Sequence, residues 1–242
     1  MINFFHTFLY TPIYNLLILF VDTVPGADIG IAVVLVTIIV RLIISPLSFA
    51  AQKTARSMKQ VEPEMKAIKA KFSDNKEQQA REMMGLYKKY GINPFASILT
   101  LIIQLPIIIS LYWVFYNKTL LSVDPTLLYS FVPVPESISP LFLGIFAVAG
   151  ASITLALLAA VTQYFLALYA IPAAPSKKDD ASMQADISRA MTLQMRYVFP
   201  LLMAGIAYTS GAIAIYFITS NLFGIIQEYF VHRSMKEHPV VS

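Results

Sequence analysis

Cysteine is absent from the 242-residue chain, which excludes disulfides, thiolate metal sites, a lipid-modified cysteine and thiol catalysis. Histidine is scarce, and its three copies (His6, His232 and His238) lie at or near the chain ends without forming a ligand cluster. A glycine-rich phosphate loop and a carboxylate pair are also missing. We therefore expect no enzyme activity, no catalytic residue, no cofactor and no metal site.

Charge is the second scarce property. Only 13% of the residues are charged and 57% are hydrophobic, whereas a soluble domain carries about 25% charged residues. Several apolar runs reach the roughly 20 residues that a helix needs to cross a bilayer. These features predict an all-α membrane protein with several spans.

Five transmembrane helices are predicted, over residues 29–51, 93–116, 140–171, 190–208 and 211–231. They are connected by a cytoplasmic helical hairpin (52–92), an outer loop (117–139) and a cytoplasmic loop (172–189), and a cytoplasmic tail follows (232–242). The last two spans share one apolar run. A turn at Tyr208–Ala212 is expected to divide it, with Gly211 at positive φ.

Positive charge falls almost entirely on one side of these spans. Ten Lys and Arg lie in Gln52–Ile92, four in Pro172–Arg196 and two after Val231, whereas the opposite side holds only Lys118. Because cytoplasmic loops carry the excess of Lys and Arg, we predict that the N-terminus is outside and the C-terminus is cytoplasmic.

Residues 1–28 are predicted to form an amphipathic helix in the outer interface and a linker. Apolar residues from Phe4 to Phe20 recur at helical spacing, with polar residues such as Asn15 between them, as in interfacial helices. The alternative is a sixth span or a signal anchor over residues 4–21. No basic residue precedes this stretch, which argues against a signal peptide.

Arg41 lies near the middle of the first predicted span, roughly 16 Å from its inner end at about 1.5 Å per residue. A charge there costs about 2.5–3.5 kcal/mol on the insertion scale. The first four predicted spans hold no acidic residue, and Glu228 in the last is the one intramembrane candidate partner. We therefore expect no fully buried ion pair, and an intramembrane charge is a functional hypothesis by default.

Other polar residues follow the same helix face as Arg41 or form stripes on neighbouring spans. Those assigned with Arg41 to a substrate groove are Thr37, Ser45, Gln104, Gln163, Tyr216, Ser220 and Asn221. A single residue of this kind most often makes an interhelical hydrogen bond. Together they predict a water-filled groove, open to the cytoplasm, that keeps Arg41 hydrated, charged and without a fixed partner.

The segment 52–92 predicts two antiparallel helices, because apolar residues recur at intervals of three and four on both sides of a polar turn. Asp74 is the expected N-cap of the second helix and Gly91 its C-cap, while Pro63 marks a kink or offset in the first. Methionine suits variable apolar contacts. The candidates for substrate capture are Met58, Met65, Met83 and Met84, with the seam of the helix pair as the other interpretation.

Four stretches, in this order and at these spacings, resemble the YidC family of membrane protein insertases, which includes the mitochondrial oxidase-assembly and chloroplast Albino branches. They are IIVRLIISPLS, QKTARSMKQVEPEMKAIKAKF, EMMGLYKKYGINP leading to LIIQLPIIISLYWVF, and YFITSNLFGIIQ. The resemblance covers Ile29–Arg233. It implies a five-helix core around a hydrophilic groove, in which Arg41 matches the groove arginine and Gln104, Gln163 and Asn221 match nearby polar positions.

Some features depart from the family pattern. NPFAS stands where NPLGG is usual, and Tyr216 and Phe217 stand where some members place a tryptophan. Without a large periplasmic domain, we expect a short bacterial form in the plasma (inner) membrane. The tail carries only Arg233 and Lys236, so we do not expect it to provide the long basic ribosome-binding extension of some relatives.

The resemblance implies an insertase and chaperone for nascent membrane proteins that consumes no ATP. The Sec translocon and the ribosome are further candidate partners. The basic hairpin favours anionic lipids, and no motif indicates a specific nucleic acid. A small-anion transporter or channel that uses Arg41 is the alternative from another class. A third hypothesis is an assembly chaperone that holds spans without inserting them.

Overall fold

The structure is a computed structural model that describes residues 6–93, 102, 105–110, 112–114, 122–171 and 189–237. Its regular structure is helical apart from two short strands, which confirms the all-α class. The chain forms two compact units. The first consists of Met1–Ile43 and Leu105–Ile225, and the second of Ile44–Gln104 and Ile226–Ser242.

The helices of the described residues are α1 (Thr11–Thr23), α2 (Ile29–Gln60), α3 (Glu62–Lys71), α4 (Lys76–Lys89), α5 (Leu105–Val114), α6 (Ile153–Ala170), α7 (Arg189–Tyr208) and α8 (Gly211–Glu237). A π-helical turn, His6–Tyr10, precedes α1, and another, Gln194–Val198, lies inside α7. The strands β1 (Leu141–Phe142) and β2 (Phe146–Ala147) pair antiparallel.

Among the described helices, α2, α6 and α7 are long and apolar enough to cross a membrane. The shorter α5 lies within the second predicted span, and most of the other residues of that span, including Gln104, are outside the described part of the chain. The 27-residue α8 covers the fifth predicted span and carries the polar residues Asn221, Gln227 and Glu228. A total of five spans therefore stays a prediction.

In the first unit, α1 buries the stripe Tyr10, Tyr14, Leu17 and Val21, which recurs at helical spacing. The predicted polar position Asn15 is also buried, which differs from its expected place between the apolar positions of an interfacial helix. Its side chain donates to the carbonyl oxygen of Leu127 at 2.8 Å and accepts from the Tyr129 amide at 2.6 Å. The amide group thus fastens the outer loop to α1.

The third span predicted over residues 140–171 is wrong in its first part. Residues 141–147 form the β1–β2 hairpin, and α6 begins at Ile153, capped by the Ser152 hydroxyl. Gly144 and Gly150 have φ values of 71° and 90°, which a helix does not accept. An apolar run alone could not distinguish a short strand pair from an extended helix.

The predicted turn before α8 is present, but Gly211 does not adopt positive φ within it. Gly211 opens α8 and is needed for a close backbone approach. A Cβ there would lie 3.0 Å from Val148 Cα and closer still to the Ala147 carbonyl oxygen. The Gly211 amide donates to Gly150 O at 2.9 Å, so this glycine lets the hairpin segment reach the start of α8.

In the second unit, α2 ends at Gln60, and Pro63 occupies the first turn of α3, where a proline is tolerated. The N-cap of α4 is Asn75, which accepts from the Gln78 amide at 3.0 Å, and not the expected Asp74. Asp and Asn cap helices about equally well, so the sequence could not choose between neighbours. Gly91 has φ 61°, as predicted for a C-terminal glycine.

A small core holds α3 and α4 together. Val61, Leu86 and Ile92 are buried at its centre, and Met58 and Met65 pack against them. Tyr90 also packs against this core and donates its hydroxyl to Glu64 at 2.5 Å, and the Lys89 ammonium donates to the same carboxylate at 3.4 Å. The helix pair therefore has an apolar seam and a polar latch, which consists of Glu64, Lys89 and Tyr90.

Candidate functional site

The guanidinium of Arg41 donates to the hydroxyl of Ser220 on α8. The Nε–Oγ distance is 2.7 Å, and Nη2 donates to the same oxygen. Arg41 is half-buried and Ser220 is 2% exposed. Ser220 thus supplies a neutral acceptor that fixes the end of a long charged side chain.

Within the described residues, no carboxylate lies within 4 Å of Arg41, and no further hydrogen bond reaches its guanidinium. A guanidinium has five N–H donors, and the two bonds to Ser220 leave three for water or an anionic group. Neutral hydrogen bonding leaves the full positive charge in place. The contact with Ser220 corrects the expectation that Arg41 has no fixed partner, because the Ser220 hydroxyl holds the guanidinium through two hydrogen bonds.

Two other predicted groove residues of the first unit are buried, Thr37 on α2 and Tyr216 on α8. The Thr37 hydroxyl donates to the Val33 carbonyl oxygen of its own helix at 2.7 Å, which satisfies its donor without a ligand. Tyr216 is buried, and its ring centroid lies 5.3 Å from that of Phe217.

Asn221 is engaged with α6. Its amide donates to the Thr162 hydroxyl at 3.1 Å and to the Ala159 carbonyl oxygen at 3.4 Å. This is the interhelical hydrogen bonding that polar residues commonly provide in membrane helices. Gln163, one residue after Thr162, is half-buried. Asn221 therefore has a structural contact that does not depend on a substrate.

Ser45 belongs to the second unit, where its carbonyl oxygen accepts from the Gln227 amide at 3.3 Å. The same amide donates to the Ser48 hydroxyl at 2.9 Å. Gln227 thus bonds α8 to α2 at two points. Gln227 is not among the residues assigned to the groove from the sequence, and its observed role is helix packing.

Arg56 and Glu228 form the ion pair that the sequence did not predict. Arg56 Nη2 lies 2.6 Å from Glu228 Oε2, and Nε donates to the same oxygen at 3.1 Å. Arg56 Nη1 also lies 3.3 Å from His232 Nδ1. Glu228 is only 3% exposed, so Arg56 neutralises a buried carboxylate. From the sequence, Glu228 was expected only as a candidate partner for Arg41.

The four methionines of the hairpin separate into two groups. Met58 and Met65 pack on the core between α3 and α4, as expected for a seam. Met83 is half-buried, and Met84 is 56% exposed. Only Met84 thus presents most of its side chain for contact with another apolar chain.

Asp28 is a buried residue that the sequence analysis did not select. Its Oδ1 accepts from the amides of Gly30 and Ile31, and its Oδ2 accepts from the amide of Leu143 at 2.7 Å. It therefore caps α2 and holds the β1–β2 hairpin. An aspartate directly before an apolar run is an N-cap signal, which could have identified the first role but not the second.

The sequence profile of a family described as "60Kd inner membrane protein" matches residues 20–238 of the chain. The chain belongs to this family. The resemblance expected from the four sequence stretches is thereby confirmed, as is the assignment to a family of inner-membrane proteins.

Several relatives of the chain are named "Membrane protein insertase YidC". The one from Clostridium tetani is 31% identical over 216 residues, which cover 89% of this chain and 87% of that protein. The one from Alkalihalophilus pseudofirmus is 31% identical over 235 residues, with 93% and 80% covered. The one from Chloroherpeton thalassium is 26% identical over 98% of this chain, which spans only 38% of that protein.

Among solved structures, the chain resembles one described as "Active YidC insertase crystal structure with the first transmembrane domain resolved". The TM-score is 0.56 at 23% identity, and the match covers 93% of this chain and 46% of that chain. This likeness supports the fold. None of the relatives named above is called a transporter or channel, so they give no support to the small-anion alternative.

Proposed function

We propose that this protein inserts and folds nascent membrane proteins without consuming ATP, and that Arg41 is the central group of its substrate groove. The observation that supports the proposal is a membrane-helix arginine whose hydrogen bonds, within the described residues, go to the neutral Ser220 hydroxyl. The relatives named as insertases support the same class.

The positive charge of Arg41 lowers the cost of carrying an acidic segment into the membrane. A carboxylate at a helix centre costs about 2.5–3.5 kcal/mol on the insertion scale. An opposite charge about 4 Å away returns up to about 4 kcal/mol at an effective dielectric constant near 20. A short acidic tail of a substrate therefore gains stabilisation at Arg41 that an apolar groove would not provide.

The remaining groove residues are proposed to line the hydrated path. This assignment is a proposal for Thr37, Ser45, Gln104, Gln163, Tyr216, Ser220 and Asn221. Ser220 differs from the others because it holds the guanidinium itself. The groove assignment is less well supported for Asn221, because its side-chain amide already donates hydrogen bonds to α6. The groove opens to the cytoplasm in this proposal, and the substrate helix leaves sideways into lipid.

The hairpin of α3 and α4 is proposed to receive the apolar part of a substrate. Met84 is 56% exposed and offers a flexible apolar side chain. Met58 and Met65 pack against the core of the helix pair, and Met83 is half-buried. Burial of the substrate's apolar surface in lipid drives its release, so no covalent step is needed.

In this proposal the protein lies in a bacterial plasma (inner) membrane, with the N-terminus outside and the C-terminus cytoplasmic. Nascent membrane proteins are its partners, and anionic lipids attract the basic hairpin. The Sec translocon and the ribosome are proposed as further partners.

The proposal is tested by insertion of a short acidic-tailed membrane protein into vesicles that contain this protein alone. Protease protection of the translocated tail measures insertion, and protein-free vesicles are the control. We expect protection only in vesicles with the protein and without added ATP. Insertion equal to that in protein-free vesicles, combined with anion flux through the protein, would replace this function by the transporter alternative.

A further inference from the structure

The hairpin of β1 and β2 is apolar at its exposed turn. The sequence has no charged residue between Glu136 and Lys177, although α6 uses only Ile153–Ala170 of this stretch. In the turn, Leu143 is 58% exposed and Ile145 is 71% exposed. A hairpin at an aqueous surface turns polar residues outward, so this one lacks the pattern that water favours.

The other side of the hairpin packs against the protein. Phe142 and Phe146 pair across the two strands and are half-buried. A Cβ on Gly30 would lie 2.5 Å from the Phe142 Cβ, so this side chain rests directly on the first turn of α2. The hairpin therefore has one face on the protein and an apolar turn that no described residue covers.

Hydrogen bonds to the first turns of α2 and α8 fix the depth of the β1–β2 hairpin relative to the membrane. Asp28 caps α2 and accepts from the Leu143 amide at 2.7 Å. The amides of Gly211 and Ala212, in the first turn of α8, donate to Gly150 and Val148 at 2.9 Å each. Because α2 is apolar and long enough to span a bilayer, its first turn lies near the membrane boundary, and so does the hairpin.

The backbone of the turn makes its leucine unusual. Leu143 and Gly144 have φ values of 53° and 71°, as at the two central positions of a type I′ turn. Asn, Asp and Gly are the residues that such turns favour. Leucine is disfavoured at this position because a side chain makes positive φ unfavourable, and exposure of its apolar side chain to water would disfavour it further. Contact with lipid removes that second cost.

We propose that Leu143 and Ile145 insert into the acyl region of the leaflet at which α2 and α8 begin, so that the hairpin binds lipid as an interfacial anchor. In the orientation proposed above this is the outer leaflet. Lipid fits better than a second protein because the exposed apolar surface continues, only eight residues after Ile145, into the exposed Ile153 and Leu157 of the membrane-crossing α6. The anchor does not depend on insertase activity.

The absence of cysteine allows a direct measurement of depth. Single cysteines at Leu143, Ile145 and Glu136 each receive a nitroxide label, and the full-length protein is placed in lipid nanodiscs. Glu136 is an exposed charged residue of the same outer loop and serves as the matched control. We expect the ratio of oxygen to nickel-chelate collision rates to be several-fold higher at the two hairpin positions than at residue 136.

If the ratio of oxygen to nickel-chelate collision rates at positions 143 and 145 is as low as at position 136, the turn lies in water and the anchor proposal is wrong. Protection from both reagents would show a protein neighbour, such as a second copy, and would overturn it as well. The variant Ile145→Trp in a Trp113→Phe background provides a second readout, because Trp113 is the one tryptophan. Lipids brominated on the acyl chains should quench its fluorescence, and absence of quenching would contradict the proposal.

Discussion

Arg41 and Ser220 are 179 residues apart in the chain, and the hydroxyl of Ser220 accepts two hydrogen bonds from the Arg41 guanidinium. The acceptor is neutral, so the contact orients the side chain without cancelling its charge. A carboxylate in the same place would have cancelled much of the attraction for an acidic substrate. The choice of acceptor is therefore central to the proposed function.

Arg56 is expected to be more important for stability than its partly exposed position suggests. The variant Arg56→Ala leaves Glu228 buried and unpaired. We expect it to lower the unfolding free energy by about 2 kcal/mol, below the full penalty for a buried pair because the Arg56 side chain is 22% exposed. Denaturant unfolding in detergent measures the change.

The double variant Arg56→Ala/Glu228→Gln is the control for this pair. It removes the uncompensated charge and should recover part of the stability. A double variant no more stable than Arg56→Ala would show that the ion pair does not explain the loss.

Gly211 is predicted to tolerate no side chain. Gly211→Ala should destabilise the protein by about 1–3 kcal/mol, as overpacking does, because the new Cβ meets the backbone of Ala147 and Val148. Gly205→Ala in α7 is the matched control, since its Cβ meets nothing within 4 Å. Thermal unfolding in detergent should show a lower midpoint for the first variant only, and equal midpoints would refute the close approach.

The latch between α3 and α4 is predicted to depend on pH. Its hydrogen bond from Tyr90, and secondarily the charge of Lys89, hold the pKa of Glu64 below the ordinary value of 4.5. Because the pKa of Glu64 is lower in the folded state than in the unfolded state, its ionisation stabilises the helix pair at pH values above the unfolded-state pKa. This contribution is lost as the pH falls through the folded-state pKa. The protection factors of α3 and α4 amides, which correct the exchange rates for the intrinsic effect of pH, should fall over that acidic range.

Tyr90→Phe removes the hydroxyl and keeps the ring. In this variant the protection factors should be lower at neutral pH and should change less on acidification. Equal pH dependence in the two proteins would exclude the Tyr90–Glu64 bond as the cause.

Asn221 distinguishes helix packing from substrate contact. If its bonds to α6 are its main role, Asn221→Ala should lower the unfolding free energy by about 1 kcal/mol and leave the insertion rate per folded molecule unchanged. A double-mutant cycle with Thr162→Val checks the pairing, because the two losses should not add. A large fall in insertion at unchanged stability would instead assign Asn221 to the groove.

Periodicity and charge predicted much of the fold, because they report which helix faces are apolar and which loops are basic. The hairpin helices, the C-terminal Gly91 and the turn before α8 all follow from such local signals. The β1–β2 hairpin did not, since its residues are as apolar as a span, and it is the strand pairing and the positive φ of Gly144 and Gly150 in the structure that distinguish it from a helix.

The site was predicted as a set of residues but not as a set of contacts. Arg41 was recognisable because a charge in an apolar run is rare. The partners Ser220 for Arg41 and Arg56 for Glu228 are distant in sequence, and a single sequence carries no signal for such pairs. Residue type also could not decide whether Asn221 bonds a helix or a substrate.

The most direct test compares the insertion rates of substrates that differ only in the number of acidic residues in the translocated tail. The wild type, Arg41→Lys and Arg41→Ala are each reconstituted alone in vesicles. We predict that Arg41→Ala slows the acidic tail by about tenfold, equivalent to about 1.4 kcal/mol of barrier, that it slows a neutral tail little, and that Arg41→Lys retains most of the acidic-tail rate. Equal slowing of acidic and neutral tails, or no slowing of either, would contradict the account.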